Sequence, residues 1–314
     1  MPYRLYNGAW PKELLERPKY EKIRKKIVEA FKDLEFEEGP HKYYLNKSDG
    51  TRVEVPCVSN VTHLFKPEFD VDSMAESTYE RNFDNPDSKY YQMTVDEIKQ
   101  TWKNISQQAC SHGTERHEFA ESCFYYMSYR YDEILDAYKD RLKKDENGVY
   151  YFEAVYPKEI SAAKFYEDMG KVKCIIPILA ETKVYIINED YYYSGTFDLL
   201  TYYDQSLDDR KRNSGVDNSG LVVCDWKSNK DLYKNFNNHM LYEFNELIDM
   251  PLSVYKLQLS AYQNCLENIG FKVVGRRIMW LLPDGTYTKI PLENLVTLFD
   301  KALRKHFDPR KLLH

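Results

Sequence analysis

Ser194-Gly195-Thr196-Phe197-Asp198, followed 27 positions after its aspartate by Asp225-Trp226-Lys227, decides how the rest of the sequence is read. Both motifs lie in strand-like surroundings. Residues 183–200 are rich in β-branched residues and tyrosine, and Leu221-Val222-Val223-Cys224 is an apolar run. Side chains alternate along a strand, so Asp225 and Lys227 project to one side and Trp226 to the other. An aspartate on one strand then meets the aspartate and lysine of its neighbour. Two carboxylates can hold a hard divalent cation, and an ammonium beside them can orient a water and offset developing negative charge. The competing reading is an exposed turn aspartate and a solvated lysine after a core strand.

Working outward, residues 204–220 are polar and rich in Gly, Asn and Ser, as in a long hairpin loop joining the two motif strands. Strands are also expected within 171–203. On the C-terminal side the pattern predicts a helix over 254–268 ended by Gly270, a strand over 271–282, a turn at Pro283-Asp284-Gly285, a strand over 287–291 and a helix over 293–306. On the N-terminal side, Tyr20, Ile23, Ile27, Phe31 and Leu34 recur at helical spacing within 13–34. A hairpin follows, from His41–Leu45 to Arg52–Val55 around Ser48-Asp49-Gly50. Residues 56–62 read as extended or turning, and 68–92 as irregular or short helices. Thr94 and Glu97 form a capping box ahead of a stripe at Val95, Ile98, Trp102, Ile105 and Ala109. A second helix is expected from Thr114 to Tyr131, and a short one over 161–169. The fold class is therefore α/β, with a mixed central sheet flanked by helices. Residues 1–110 form an N-terminal helix, hairpin and helical elaboration, and 111–314 the core.

Composition narrows the function. A chain of 314 residues with 43% hydrophobic and 15% aromatic residues can fill a large core. No apolar run approaches the roughly 18 residues of a membrane span, and Met1-Pro2-Tyr3-Arg4 lacks a secretory apolar segment. Six cysteines are scattered with no C-x-x-C pair, which argues against a disulfide framework or a Cys-rich zinc site. The net charge of −6 opposes a nucleic-acid partner in bulk but leaves room for a local basic groove. Most of the 28 tyrosines are expected to be half-buried, with some free to stack on bases.

Four further features bear on chemistry. Gly113-Thr114-Glu115-Arg116-His117 opens the second predicted helix, and His117 can ligate a metal through a neutral ring nitrogen. Glu118 and Glu121 on that helix read as solvated. Glu181, among strand formers, either points into the site or faces water on an edge. Gln258 and Tyr262 share a helix face, to contact a phosphate, to hold the acidic cluster, or as an ordinary amphipathic boundary. No His-x-x-x-His pair suggests a zinc peptidase.

Over residues 111–282 the order G-x-x-x-H, E, G-x-x-D, D-x-K, Q-x-x-x-Y resembles the RecB-like branch of the PD-(D/E)XK nuclease superfamily. The Tyr43-Tyr44 hairpin and Val55-Pro56-Cys57-Val58-Ser59-Asn60-Val61 are similar to the lead-in of phage and mitochondrial exonucleases of that branch, with Cys57 and Asn60 departing from the commoner Ser and Thr. The resemblance implies a restriction-endonuclease-like sheet. It implies His117, Asp198, Asp225 and the Trp226 carbonyl as ligands to Mg²⁺ or Mn²⁺, and Lys227 as the residue that positions or activates water. Glu181 and Gln258 would lie behind the ligands or on substrate. Tyr262 would support its helix or touch DNA. Apart from the resemblance, the basic clusters Lys227-Ser228-Asn229-Lys230 and Arg276-Arg277 are candidates to hold flanking phosphates, or else solubilising surface charge. The implied activity is a DNA exonuclease acting on single strands or free ends in the cytoplasm of a bacterium or phage-infected cell, in recombination, repair or replication. A single-strand-binding protein or recombinase is its implied partner. A structure-directed endonuclease and an inactive nucleic-acid-binding module are the alternatives. Cys265 is followed by no further cysteine, so no iron–sulfur cluster of the kind some relatives carry is expected.

Overall fold

The computed structural model describes residues 2–8 and 10–312, and the architecture below refers to these. The strands are β1 (Tyr3–Tyr6), β2 (Leu34–Glu37), β3 (Lys42–Asn46), β4 (Arg52–Val55), β5 (Leu142–Lys144), β6 (Tyr150–Ala154), β7 (Ile175–Ile187), β8 (Tyr192–Tyr203), β9 (Gly220–Lys227), β10 (Val273–Leu281) and β11 (Tyr287–Pro291). The helices are α1 (Lys12–Leu15), α2 (Pro18–Phe31), α3 (Val58–His63), α4 (Val71–Asn82), α5 (Val95–Met127), α6 (Pro157–Gly170), α7 (Pro251–Asn268) and α8 (Val296–His306). They build a mixed α/β protein around one five-stranded sheet of order β11-β10-β9-β8-β7, with two three-stranded sheets, β1-β6-β5 and β2-β3-β4.

The central sheet explains the apolar run before Asp225. Strand β9 lies between β8, antiparallel, and β10, parallel, and Leu221 through Trp226 are all buried. A strand covered on both faces loses the polar alternation of a half-exposed one. The parallel β9–β10 pair needs a crossover, and α7 supplies it. Trp226 packs its ring against Phe165 and Tyr166 of α6, at centroid separations of 4.9 and 5.7 Å.

The N-terminal hairpin docks on β8 beside the Gly195 motif. The Ser194 amide donates to the Pro56 carbonyl at 2.9 Å, and its hydroxyl to the Val55 carbonyl at 3.2 Å. Tyr43 and Thr196 share a hydrogen bond at 3.0 Å. Gly195 is required by close approach: a Cβ there would lie 2.8 Å from Tyr262 Cε1 and 3.3 Å from Val58 Cγ2.

Several predicted elements change. The helix predicted over 13–34 is two, α1 and α2, and Leu34 belongs to β2, a third strand beside the hairpin. Residues 58–63 are helical, not extended, because Val58, Val61 and Thr62 bury a helical face. Helix α5 is one unit of 33 residues, not two helices meeting near Gly113. Glycine alone costs a helix only about 1 kcal/mol, and neither proline nor a cap interrupts 110–114. The capping box is present, with Thr94 N donating to Glu97 Oε2 at 2.7 Å. The stripe behind it is buried only at Ile98; Ile105 is exposed. Helix α6 begins four residues earlier than predicted, at Pro157. No described helix is long and apolar enough to cross a membrane.

Candidate metal centre at the fork of β8 and β9

The paired ladder between β8 and β9 runs from Tyr203↔Gly220 to Leu199↔Cys224 and stops there. Beyond it a backbone donor needs another partner, and the Asp198 side chain provides one: the Trp226 amide donates to Asp198 Oδ2 at 2.6 Å. Asp198 thus sits in the fork where the strands part. Asp225, on the last turn of the β9 pleat, is 1% exposed, and Lys227 reaches back to it with Nζ 2.5 Å from Oδ2. The alternation predicted from the D-x-K spacing is present.

Helix α5 brings His117 to the same fork. Its Nδ1 lies 3.4 Å from Asp198 Oδ2 and 3.9 Å from Glu181 Oε1. Glu181 enters from β7, on the far side of β8, so three adjacent strands and one helix converge. Glu181 has φ of +40°, inside a long strand. For a residue with a Cβ that conformation is strained, and strain of this kind gathers where a side chain must be aimed. One ligating atom each from His117, Glu181 and Asp198 lies within 4.8 Å of the others. Asp225 is turned toward Lys227 and is not in that trio. Glu181, expected behind the proposed ligands or on substrate, lies instead beside His117 and Asp198 in that trio.

Hydrogen-bond accounting shows what the cluster lacks. Glu181 Oε1 and Asp225 Oδ1 are buried without a hydrogen bond, while Asp225 Oδ2 has the Lys227 ammonium at 2.5 Å. Buried carboxylate oxygens in that condition are costly. Burial, then the Asp198, Glu121 and Asp225 charges, push the Glu181 carboxyl well above the usual carboxylate range. Burial and Asp198 likewise raise Asp225, against Lys227. Burial would also raise Asp198, but the facing His117, the Lys227 charge and the Trp226 amide together outweigh it and hold it low. Burial works to lower His117 and Lys227, and the surrounding carboxylates override it, leaving both above their ordinary values. An oxygen-rich set with one imidazole suits a hard divalent cation, which would take up the unpartnered lone pairs. His117 and Glu181 keep 29% and 26% of their side-chain surface exposed, so the cluster opens on that side.

The remaining predicted residues divide. Tyr262 is buried, and its hydroxyl accepts from Gln258 Nε2 at 3.1 Å. Burial and the charge of Asp225 raise that hydroxyl well above the ordinary tyrosine value, so the pair borders the cluster. Trp226 contributes its amide to Asp198 and its ring to the core. Lys230 is exposed, three residues past Lys227. Glu121, read as solvated, is half-buried and accepts from Tyr125 at 2.8 Å. Arg276, a candidate for phosphate contact, is engaged by the Glu293 carbonyl at 3.1 Å and by Gln263. The sequence reading missed Tyr255, whose ring lies under Lys227 Nζ at 4.5 Å. Its spacing to Gln258 and Tyr262, i, i+3, i+7, was the available signal.

No protein family matches this chain, and no curated protein does.

Proposed function

We propose that the protein is a metal-dependent nuclease that hydrolyses phosphodiester bonds in DNA. The observation that carries this reading is the gathering of His117, Glu181 and Asp198, one ligating atom of each within 4.8 Å of the others, beside Asp225 and its ion-pair partner Lys227, with Glu181 Oε1 and Asp225 Oδ1 buried and without a hydrogen bond. His117, Glu181 and Asp198 would hold Mg²⁺ or Mn²⁺, with Asp225 and the Trp226 carbonyl closing the site. When bound, such an ion polarises a phosphate and neutralises the charge that develops on it. Lys227, fixed by Asp225 and lying over Tyr255, orients the attacking water and offsets charge on the phosphoryl oxygens. Asp198, anchored by the Trp226 amide, keeps the ligands in place between the parting strands. Gln258 and Tyr262 brace this wall, and Lys230 meets the flanking backbone.

The order and placement of these residues support a restriction-endonuclease-like fold of the RecB-like kind and, with it, an exonuclease acting on single-stranded or free-ended DNA. The test compares linear with covalently closed circular DNA, in Mg²⁺, Mn²⁺ or EDTA, for wild type and Lys227→Ala. Metal-dependent loss of linear DNA alone, absent in the variant, is the expected result. Nicking of circles would replace the exonuclease by an endonuclease. DNA binding without cleavage under any condition would leave a binding module.

A further inference from the structure

A second polar feature lies just behind the cluster. Arg116, next to His117 on α5, donates from Nη1 to the Ser228 hydroxyl at 2.9 Å. Lys158, in the first turn of α6, donates from Nζ to the Ser228 carbonyl. Two cations thus converge on one neutral residue, itself adjacent to Lys227. Among the described residues neither has a carboxylate partner. The two acids nearby are engaged elsewhere: Glu115 with His112 at 3.2 Å, and Glu159 with Arg141 at 3.5 Å and the Val155 amide at 2.8 Å. Arg141 Nη1 is buried and makes no hydrogen bond. Burial lowers Lys158, and the charge of Arg116 adds to it. Such like-charge crowding costs stability, and an anion placed between the two would relieve it.

These three cations, together with the carboxylates Glu115 and Glu159 and with His112, border a cavity of about 640 Å³ whose other walls include Tyr138, Tyr156 and Pro283; with Glu159 paired to Arg141, Arg116 and Lys158 are the cations left to face a ligand. The volume exceeds that of a lone anion, and aromatic and prolyl faces beside cations suit a nucleotide with its phosphate. We infer that this cavity is a subsite for one nucleotide of the substrate strand, in which Arg116 and Lys158 hold a phosphate adjacent to the one at the His117–Asp198 cluster. That the ligand is a nucleic-acid strand rests on the proposed nuclease reading. The phosphate is either a terminal monoester or the next diester along the chain, and the two share this chemistry.

The test is fluorescence anisotropy of the full chain with labelled single-stranded DNA in EDTA, where binding is read without cleavage. The strand is used with a phosphate at its 5′ end, at its 3′ end, or at neither. Lys158→Ala and Arg116→Gln are compared with Lys211→Ala, a matched loss of charge in the exposed 204–219 loop. Each subsite variant is expected to raise Kd about tenfold and to reduce the salt dependence by about one phosphate contact, with Lys211→Ala near wild type. Thermal unfolding should be unchanged or later, since a repulsion is removed. A loss confined to one phosphorylated strand assigns a terminal phosphate; an equal loss on all strands assigns an internal one. Subsite variants that bind like wild type or like Lys211→Ala overturn the inference, as does thymidine monophosphate binding without any strand binding. Cleavage in Mg²⁺ with unaffected variants would sink the subsite alone, and Lys158-dependent binding without cleavage would sink hydrolysis alone.

Discussion

Strand β8 places a buried aspartate at Asp198, within it, and another at Asp204, just past its end, and the surroundings of the two differ in kind. Asp204 is saturated. It accepts from Tyr20 at 2.7 Å, Lys19 at 3.1 Å, and the Ser206 hydroxyl and amide at 2.6 and 3.1 Å. Around Asp198 the opposite holds: its neighbours Glu181 and Asp225 keep buried oxygens with no hydrogen bond. The first region ties α2 to the sheet and needs nothing more. The second leaves buried carboxylate oxygens on Glu181 and Asp225 without a hydrogen bond, which is the feature that the proposed cation site rests on. Burial and acidity are common to both regions; the distinction lies in whether every lone pair has a partner.

The largest expected effect breaks the comparison on the side of chemistry. Lys227→Ala should lower DNA cleavage about a thousandfold, the scale of losing a preorganised charge-stabilising group, with circular dichroism unchanged. Retained turnover in the folded variant would remove Lys227 from the site. On the structural side, Asp204→Ala should cost about 3 kcal/mol in urea unfolding, because it orphans the buried Tyr20 hydroxyl and the Lys19 ammonium. Its cleavage rate per folded molecule should stay at the wild-type level. Asp204 also fixes a pH dependence. Burial tends to raise its carboxyl, but hydrogen bonds from Ser206, Tyr20 and Lys19 outweigh this and hold it below the usual range. A lowered folded-state value means stability that is present above the unfolded value of about 3.9 and lost as pH falls through the folded one. Unfolding free energies of wild type and Asp204→Ala should therefore converge below about pH 4; a constant gap would contradict the assignment.

Gly195→Ala comes next. Its Cβ would press into the rigid Tyr262 ring, at a cost of about 1–3 kcal/mol measured by thermal unfolding. A neutral result would mean that α7 yields at that contact. The smallest effect has the opposite sign. Glu181→Gln removes a carboxyl whose ionised form is opposed by burial, Asp198, Glu121 and Asp225, and should stabilise the metal-free protein by about 1 kcal/mol at alkaline pH, where that carboxyl is charged, while weakening cation binding. A loss of stability comparable to that of Asp204→Ala would erase the contrast between the two regions.

The mixed α/β class and the grouping of some candidate residues are legible in the sequence. D-x-K at the end of an apolar run identified Asp225 and Lys227 because strand alternation is a strict geometric rule, and the 204–219 hairpin brought Asp198 beside them. His117 was legible as a residue type, but its helix was read as starting at Thr114. Nothing local shows that α5 runs on through Gly113, since a tolerated glycine and a stopping glycine look alike. Glu181 was left open between site and solvent, because its aim depends on a positive φ that has no signature in a glutamate. The sheet β1-β6-β5 has only a weak signature: its strands are three to five residues long, β5 and β6 form a short hairpin, and β1 pairs with β6 across more than a hundred positions. Short strands of that kind take their structure from partners that local pattern cannot supply.

The most direct measurement is a calorimetric titration of Mn²⁺ into wild type, Asp198→Asn and Asp204→Asn. Binding to wild type and to Asp204→Asn, with loss in Asp198→Asn, is the result expected if the incomplete cluster is the metal centre. Equal binding by all three proteins, or none by wild type, would contradict it.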